Sequence, residues 1–375
     1  MKCVLIGPTY PFRGGIAHYT TLLCRQLRRR HQVAFISFRR QYPDWLFPGR
    51  TDRDPSQQPL IEECEQIISP FSPWTWVEAA RRIQRLVPDL VLFQWWVPFW
   101  APVWSSIICL VQRRMSPRIL FIGHNVLPHE ARRVDRLLAR WVLGQGDAII
   151  VHSLRDREDA IRLLPTANVH VTPHPTYEAF AQDKPSSSEA RGALGLDDHV
   201  PVILFFGFVR PYKGLSYLLK ALRIVVAQHN VHLLIAGEFW DDAGMYHDSI
   251  RSLGLEDHVT IVDRYIPNEE VATYFAAADL VALPYIDATQ SGIVQLAFGF
   301  GVPVITTRVG GLGEAVQDGV TGFLVPPKDS SALAAAVLRY FQEELEPSFR
   351  ASIEAEKDRF SWEKLGALIE ELGCA

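Results

Sequence analysis

The sequence predicts an α/β protein made of two Rossmann-like, doubly wound units facing each other across a cleft. Two observations lead there. Short, near-continuous apolar runs alternate with segments of helical spacing, the pattern of parallel strands covered on both faces. That pattern stops at residues 176–200, where the chain turns polar and small, and then starts again. A chain of 375 residues is also long for one hydrophobic core.

The first unit spans 1–175. Its apolar runs are CVLIG (3–7), VAFISF (33–38), QIIS (66–69), LVLFQ (90–94), ILFIGHN (119–125), AIIVHS (148–153) and VHVTPHP (169–175). Helical spacing fills segments such as Ile16–Arg30 and Pro128–Gly144. The uncharged run Leu90 to Gln112 is nominally long enough to span a bilayer. Pro98, Pro102, Gln94 and Ser105-Ser106 interrupt it, and it parses better as a buried strand, an aromatic loop and a helix. Its aromatics, Trp95 through Trp104, are expected to be exposed, touching a lipid interface or lining an acceptor site.

Residues 176–200 read as a linker. The second unit, 201–345, repeats the alternation with runs at 202–208, 232–237, 259–265, 280–285, 303–307 and 323–327, and helices at 213–228, 268–278 and 330–344. Residues 346–375 read as closing helices that cross back to the first unit.

Composition narrows the partners. The five cysteines are scattered, with no CxxC pair, which argues for reduced thiols in a cytosolic protein and against a disulfide framework or zinc site. Met1-Lys2 leads straight into an apolar strand, too short a stretch for a signal peptide. Residues 1–180 carry 23 Lys and Arg against 15 Asp and Glu, net +8; the remainder carries 15 against 27, net −12. Every basic residue of the first part except Lys2 is arginine. Such a surface suits an anionic partner, either a membrane or a phosphorylated lipid. Arg28, Arg29 and Arg30 are the densest cluster. Nucleic acid is not expected.

The richest tract is Leu280 to Glu314, LVALPYIDATQSGIVQLAFGFGVPVITTRVGGLGE. It reads as strand, loop, helix opening near Ser291-Gly292, strand, and a Gly-Gly turn. A helix start at a strand's carboxyl end offers backbone N–H groups to a phosphate. No carboxylate follows Asp287 until Glu314. In the first loop, GPTYPFRGGIAHYT (7–20), Gly14-Gly15 precedes a helix but is not GxGxxG, which disfavours a dehydrogenase. His18 and Tyr19 follow it as weak acceptor-side candidates with Trp95. In FFGFVRPYKGL (205–215), Arg210 and Lys213 stand at a strand's end, where two cations would neutralise a diphosphate leaving group. Asp52-Arg53-Asp54 spells a metal-binding Asp-x-Asp but lies in a polar loop and is read as coincidental. His124 and His129, with Pro128 between them, make a poor ligand pair, and no metal is expected.

Gly14-Gly15, GFVRPYKG (207–214), LLIAGE (233–238), VATYFAAADLVALPY (271–285), SGIVQLAFGFGVPVITTRVGGLGEAVQDGVTGFLV (291–325) and HNVLPHE (124–130) together resemble the retaining glycosyltransferases of family 4, with the GT-B fold. The resemblance implies a hexosyltransferase that needs no metal. It would use a UDP- or GDP-sugar as donor and a lipid-linked or polysaccharide precursor as acceptor. By that likeness Arg210 and Lys213 bind the donor diphosphate, aided by backbone at Gly15, Gly292, Ile293 and Val294. Glu238 with Arg264, Tyr265 and Ile266 borders the nucleobase, and His124 stands at the donor sugar. The family's two glutamates fall at Thr289 and Ala297. Thr289 or Gln290, beside Ser291, is then a neutral substitute at the sugar. These replacements also admit an inactive, sugar-nucleotide-binding partner subunit. A sugar-nucleotide epimerase is a weaker alternative that would rely on Glu130 and Glu314. The setting implied is cytoplasmic, peripheral at the inner face of a membrane, in polysaccharide assembly.

Overall fold

A computed structural model describes residues 1–42, 49, 51–128 and 131–374. His129 and Glu130 lie outside the described residues. The chain divides into two compact units, one of residues 1–54, 59–173 and 361–375, the other of 55–58 and 174–360.

In the first unit the order is β1 (Lys2–Ile6), α1 (Gly15–Arg28), β2 (Gln32–Phe38), β3 (Glu65–Ile68), α2 (Pro73–Leu86), β4 (Leu90–Trp95), α3 (Ala101–Gln112), β5 (Arg118–Gly123), α4 (Arg133–Leu143), β6 (Ala148–Val151), α5 (Leu154–Leu163) and β7 (Val169–Val171). The strands form one sheet in the order β3-β2-β1-β4-β5-β6-β7, all parallel. The order reverses between β1 and β4, so the loops after those two strands diverge and leave room for a ligand.

The run Leu90 to Gln112 is β4, a 3₁₀ turn at Pro98–Trp100, and α3. Its expected exposed aromatics are corrected here: Trp95, Trp100 and Trp104 have no exposed surface. Trp100 and Trp104 stack at 5.4 Å in the core between the sheet and α2–α4, and Trp95 Nε1 donates to the Val126 carbonyl. Aromatic side chains of this size contribute most when fully buried, and helix α3 has enough apolar faces to bury them. Among the described residues no helix is long and apolar enough to cross a membrane.

The opposite face of this sheet is covered by α1 and by the final helix of the chain, which brings Leu365, Ile369 and Leu372 against Leu5, Leu23 and Leu92. Arg28, Arg29 and Arg30 border that helix. Each is already matched by a carboxylate: Arg28 by Glu62, Arg29 by Glu363 and Arg30 by Glu370. The cluster is not a free cationic surface.

The second unit holds α6 (Ser187–Leu194), β8 (Val202–Phe206), α7 (Leu215–Val225), β9 (His232–Ala236), α8 (Ala243–Leu253), β10 (Val259–Val262), α9 (Asn268–Ala277), β11 (Leu280–Leu283), α10 (Gly292–Gly299), β12 (Val304–Thr307), α11 (Leu312–Ala315), β13 (Gly322–Val325), α12 (Ser330–Gln342) and α13 (Glu346–Ala355). Its parallel sheet runs β10-β9-β8-β11-β12-β13, again reversing between the first and fourth strands of the unit. Residues 176–200 are not a bare linker. A 3₁₀ turn (Glu178–Phe180) and α6 occupy them, α6 starting from a capping box of Ser186 and Glu189. Arg191 of α6 is anchored on Asp279, 2.6 Å away. The closing helices also divide: α13 stays with the second unit, and only α14 (Trp362–Cys374) belongs to the first.

Candidate functional site

At the reversal point of the second sheet, the loops after β8 and β11 are stitched together. Ile286 N–H donates to the Tyr212 carbonyl at 2.6 Å. Gly214 has φ +70°, and a Cβ there would stand 2.0 Å from the Pro284 carbonyl oxygen. Only glycine permits that approach. Lys213 ends the 3₁₀ turn Pro211–Lys213 and folds inward, where its side chain is 7% exposed. Its ammonium lies 3.2 Å from the position a Cβ would take on Gly207, beside Ile293, and 5.5 Å from the Tyr285 ring centroid. No carboxylate pairs with Lys213 among the described residues. Burial first, and then the charge of Arg210, lower its pKa to about 7. Arg210 packs its guanidinium 4.6 Å over Trp240. The two cations feel each other's charge, and while Asp241 lies within reach of Arg210, no carboxylate among the described residues pairs with Lys213, so the pair suits an anion.

Helix α10 opens beside them. Ser291 caps it, its hydroxyl accepting from Ile293 N–H at 3.2 Å, while Val294 N–H donates to the Ser291 carbonyl. Of the three backbone donors expected here, two are therefore used within the protein, and Gly292 N–H is the one left for a ligand. Thr289 is buried, and its carbonyl accepts from Gly311 N–H at 2.7 Å. Ala297 has no exposed surface. Its methyl group offers a ligand nothing. Gln295, one turn into the same helix, is 3% exposed with an unpartnered Oε1 among the described residues.

The ends of β8, β9 and β10 form an aromatic slot in which Tyr265, expected beside the base, is joined by Phe208 and Trp240, which sequence reasoning missed. Phe208 lies 4.5 Å from Trp240 and 6.1 Å from Tyr265, centroid to centroid, all three half-buried. Glu238 is buried beneath it and accepts from Trp240 Nε1 at 3.0 Å. A planar base can stack in such a slot. Arg264 is directed elsewhere: its guanidinium is engaged by Glu270, which raises its pKa. Ile266 is buried.

The reversal point of the first sheet has a different chemistry. Gly14 is the N-cap of α1, and Gly15 begins the helix. His18 stands 3.7 Å from Asp54, so half of the Asp-x-Asp is occupied by that contact. Among the described residues no group of three or more potential metal-ligating side chains forms. Tyr19 is fully buried and joins His152, whose Nδ1 lies 2.9 Å from the Thr172 carbonyl. A carbonyl only accepts, so Nδ1 carries the proton, Nε2 is a bare acceptor, and the Tyr19 hydroxyl donates to it. Burial lowers the His152 pKa to about 4, keeping the ring neutral. His124 is 3% exposed and lies edge-on to Tyr19 at 4.6 Å. Its Nε2–H donates to Gln94 Oε1 at 2.6 Å, and Gln94 Nε2 has no partner among the described residues. The loop carrying His124 is pinned by buried Asp156, which accepts from Val126 N–H and from the Ser153 hydroxyl.

Residues 13–177 match the family Glycosyltransferase Family 4, and residues 200–343 match Glycosyl transferases group 1. The chain belongs to these glycosyltransferases. Its fold is GT-B. The D-inositol 3-phosphate glycosyltransferase of Saccharomonospora viridis is 30% identical over 60% of this chain and 54% of its own length. The GDP-mannose-dependent alpha-(1-6)-phosphatidylinositol monomannoside mannosyltransferase of Mycolicibacterium smegmatis is 28% identical over 87% and 85%. The chain spans only about half the length of several of the curated relatives that it matches. HepE from Anabaena, solved in complex with UDP and glucose, is similar in fold, with a TM-score of 0.74 and 20% identity over 99% of this chain and 98% of that one. A glycosyltransferase from Rickettsia africae superposes with a TM-score of 0.76 at 15% identity, over 99% and 97%. For a member of this family, Thr289 and Ala297 are departures at the two glutamate positions, and the helix around them is built apolar.

Proposed function

We propose that this chain transfers a hexose from a nucleoside diphosphate sugar to a lipid-linked or polysaccharide precursor, with retention of configuration. One observation carries the reading. Lys213 is a buried ammonium beside Arg210 with no carboxylate to balance it, and a diphosphate is the ligand that would. As the bond from the anomeric carbon to the β-phosphate oxygen breaks, the charge that develops on that oxygen falls to Lys213, Arg210 and Gly292 N–H. The same oxygen then takes the acceptor hydroxyl proton, so the attack needs no protein nucleophile. Two side-chain cations do here what a divalent ion does elsewhere. The slot of Phe208, Trp240 and Tyr265 takes the base, and Thr289 and Gln290 take sugar hydroxyls. His124, its Nε2–H held by Gln94, is the first unit's candidate for the donor sugar.

The acceptor side of the proposal draws on its relatives, which carry glycosyl groups to D-inositol 3-phosphate and to a phosphatidylinositol mannoside. A phosphorylated or lipid-anchored acceptor also matches the arginine-rich first half, and places the work peripherally at the cytoplasmic face of a membrane.

Titration calorimetry with UDP, GDP and their sugars, followed by turnover on inositol phosphate and phospholipid acceptors and NMR of the product anomer, tests this. Binding of a nucleoside diphosphate that Lys213→Ala weakens is expected, together with activity in EDTA. Undiminished binding by Lys213→Ala would sink the diphosphate assignment. The departures at Thr289 and Ala297 support a second reading, a sugar-nucleotide-binding partner subunit. Tight binding without turnover on every acceptor is the result that would favour it.

A further inference from the structure

Helix α4 exposes an apolar stripe that no part of the described chain covers. Val134, Leu137 and Trp141 are 53%, 68% and 51% exposed. At about 100° per residue they fall within roughly 60° of the helix circumference. The helix buries a different face, Ala139, Val142 and Leu143, against the core. Beside the exposed stripe run Arg133, Arg136 and Arg140, with Arg132 at the N-cap, all exposed. Unlike Arg28, Arg29 and Arg30, none of them forms an ion pair among the described residues. The one acid of the helix, Asp135, is turned back to cap it, accepting from Arg132 N–H at 2.8 Å.

The same unit exposes a second apolar corner. Phe71 and Trp74, at the start of α2, are 65% and 80% exposed, and Phe71 touches Phe99 of the 3₁₀ turn that packs against α4. Both helices begin at the carboxyl edge of the sheet, the edge where His124 and Gln94 lie.

We propose that α4, together with the Phe71–Trp74 corner, is the surface by which this chain lies on an anionic bilayer. An amphipathic helix with arginines beside leucine, valine and tryptophan fits the boundary between head groups and acyl chains. Its unpaired arginines meet acidic phospholipid head groups, which the matched Arg28–Arg30 cluster does not do. The proposal extends the reading of a lipid-linked acceptor but rests on a separate surface, so donor binding and vesicle binding can fail independently.

The test is co-sedimentation of the full chain with phosphatidylcholine vesicles, with and without phosphatidylglycerol, at low and high salt. Binding that requires phosphatidylglycerol and weakens with salt is expected. Leu137→Ser with Trp141→Ser should reduce it about tenfold or more. Arg133→Ser, Arg136→Ser and Arg140→Ser together should reduce it roughly a hundredfold, since each basic residue at the surface contributes about a fivefold factor. Arg28→Ser, Arg29→Ser and Arg30→Ser together should change it less than twofold (~0.3 kcal/mol on the affinity scale). All these positions are exposed except the half-buried Arg28, and unchanged nucleoside diphosphate binding would verify folding of each variant. Equal binding by the α4 variants and the parent chain overturns the proposal. So does a concentration-dependent dimer that the α4 substitutions dissolve while vesicle binding is absent, which would assign the stripe to a second copy.

Discussion

The two sheets reverse their strand order at equivalent places and put opposite chemistry there. In the second unit the point of reversal concentrates uncompensated positive charge: Lys213 is buried with Arg210 as its neighbour and without an acid. In the first unit it concentrates buried polar groups that bond one another, Tyr19 with His152 and His124 with Gln94. The first arrangement favours an anion. The second is held mainly by its own hydrogen bonds. One scaffold thus offers a charged binding site and a neutral, preorganised one, and the loops alone decide which.

The contrast breaks most visibly if the charge in the second unit is not functional. Lys213→Ala is expected to lower turnover by about a hundredfold to a thousandfold, the range for a lost transition-state donor, measured as kcat on any competent acceptor. The pH dependence sharpens the point. The folded pKa of Lys213, about 7, lies below its ordinary 10.5. A bound diphosphate restores the proton, so binding above pH 7 takes up protons and weakens by about tenfold per pH unit. Calorimetry in buffers of different ionisation enthalpy should register that uptake in the parent chain and none in Lys213→Ala.

The neutral network of the first unit has its own signature. The folded pKa of His152, about 4, lies below its ordinary 6.5, so between those values the unfolded chain binds more protons. Stability from this group is complete above about pH 6.5 and is lost as pH falls toward 4, by about 3 kcal/mol at most. Denaturant melts across that interval should show the slope, and His152→Gln should flatten it. Parallel melts of the parent and the variant would refute the buried neutral imidazole.

Smaller effects test the edges of each site. Trp240→Ala should weaken nucleoside diphosphate binding by about 1–2 kcal/mol, the worth of one stacked base, and leave inorganic diphosphate binding unchanged. Equal losses for both ligands would mean that Trp240 serves Arg210 and not the base. Gln94→Leu removes the acceptor for His124 Nε2–H and should reduce kcat by about fivefold, about 1 kcal/mol, with donor affinity intact. A change confined to affinity would take His124 out of the reacting centre.

The sequence made the strand framework legible because its evidence is local. Each of the thirteen strands among the described residues overlaps an apolar run readable from residue types alone, with ends that differ by a few residues. The cationic loop Arg210–Lys213 was equally plain, since cations at a strand end before a glycine and a helix have few structural uses. The aromatic slot was not, because Phe208, Trp240 and Tyr265 are far apart in the chain and meet only when β8, β9 and β10 align. Gln94 was hidden for the same reason. Trp95 and Trp104 were placed on the wrong side of the surface, since an apolar run carries no mark of which residues the neighbouring helices will cover.

What the sequence determined by itself is the alternation, the two sheets and the cations, all set by spacing and side-chain type. What the tertiary structure decided is which charges are left without partners. Arg28, Arg29 and Arg30 look like the exposed cluster in the sequence, yet Glu62, Glu363 and Glu370 neutralise them. Lys213 and the arginines of α4 have no such carboxylates among the described residues. Pairing depends on residues up to several hundred positions away, so it is a property of the folded chain.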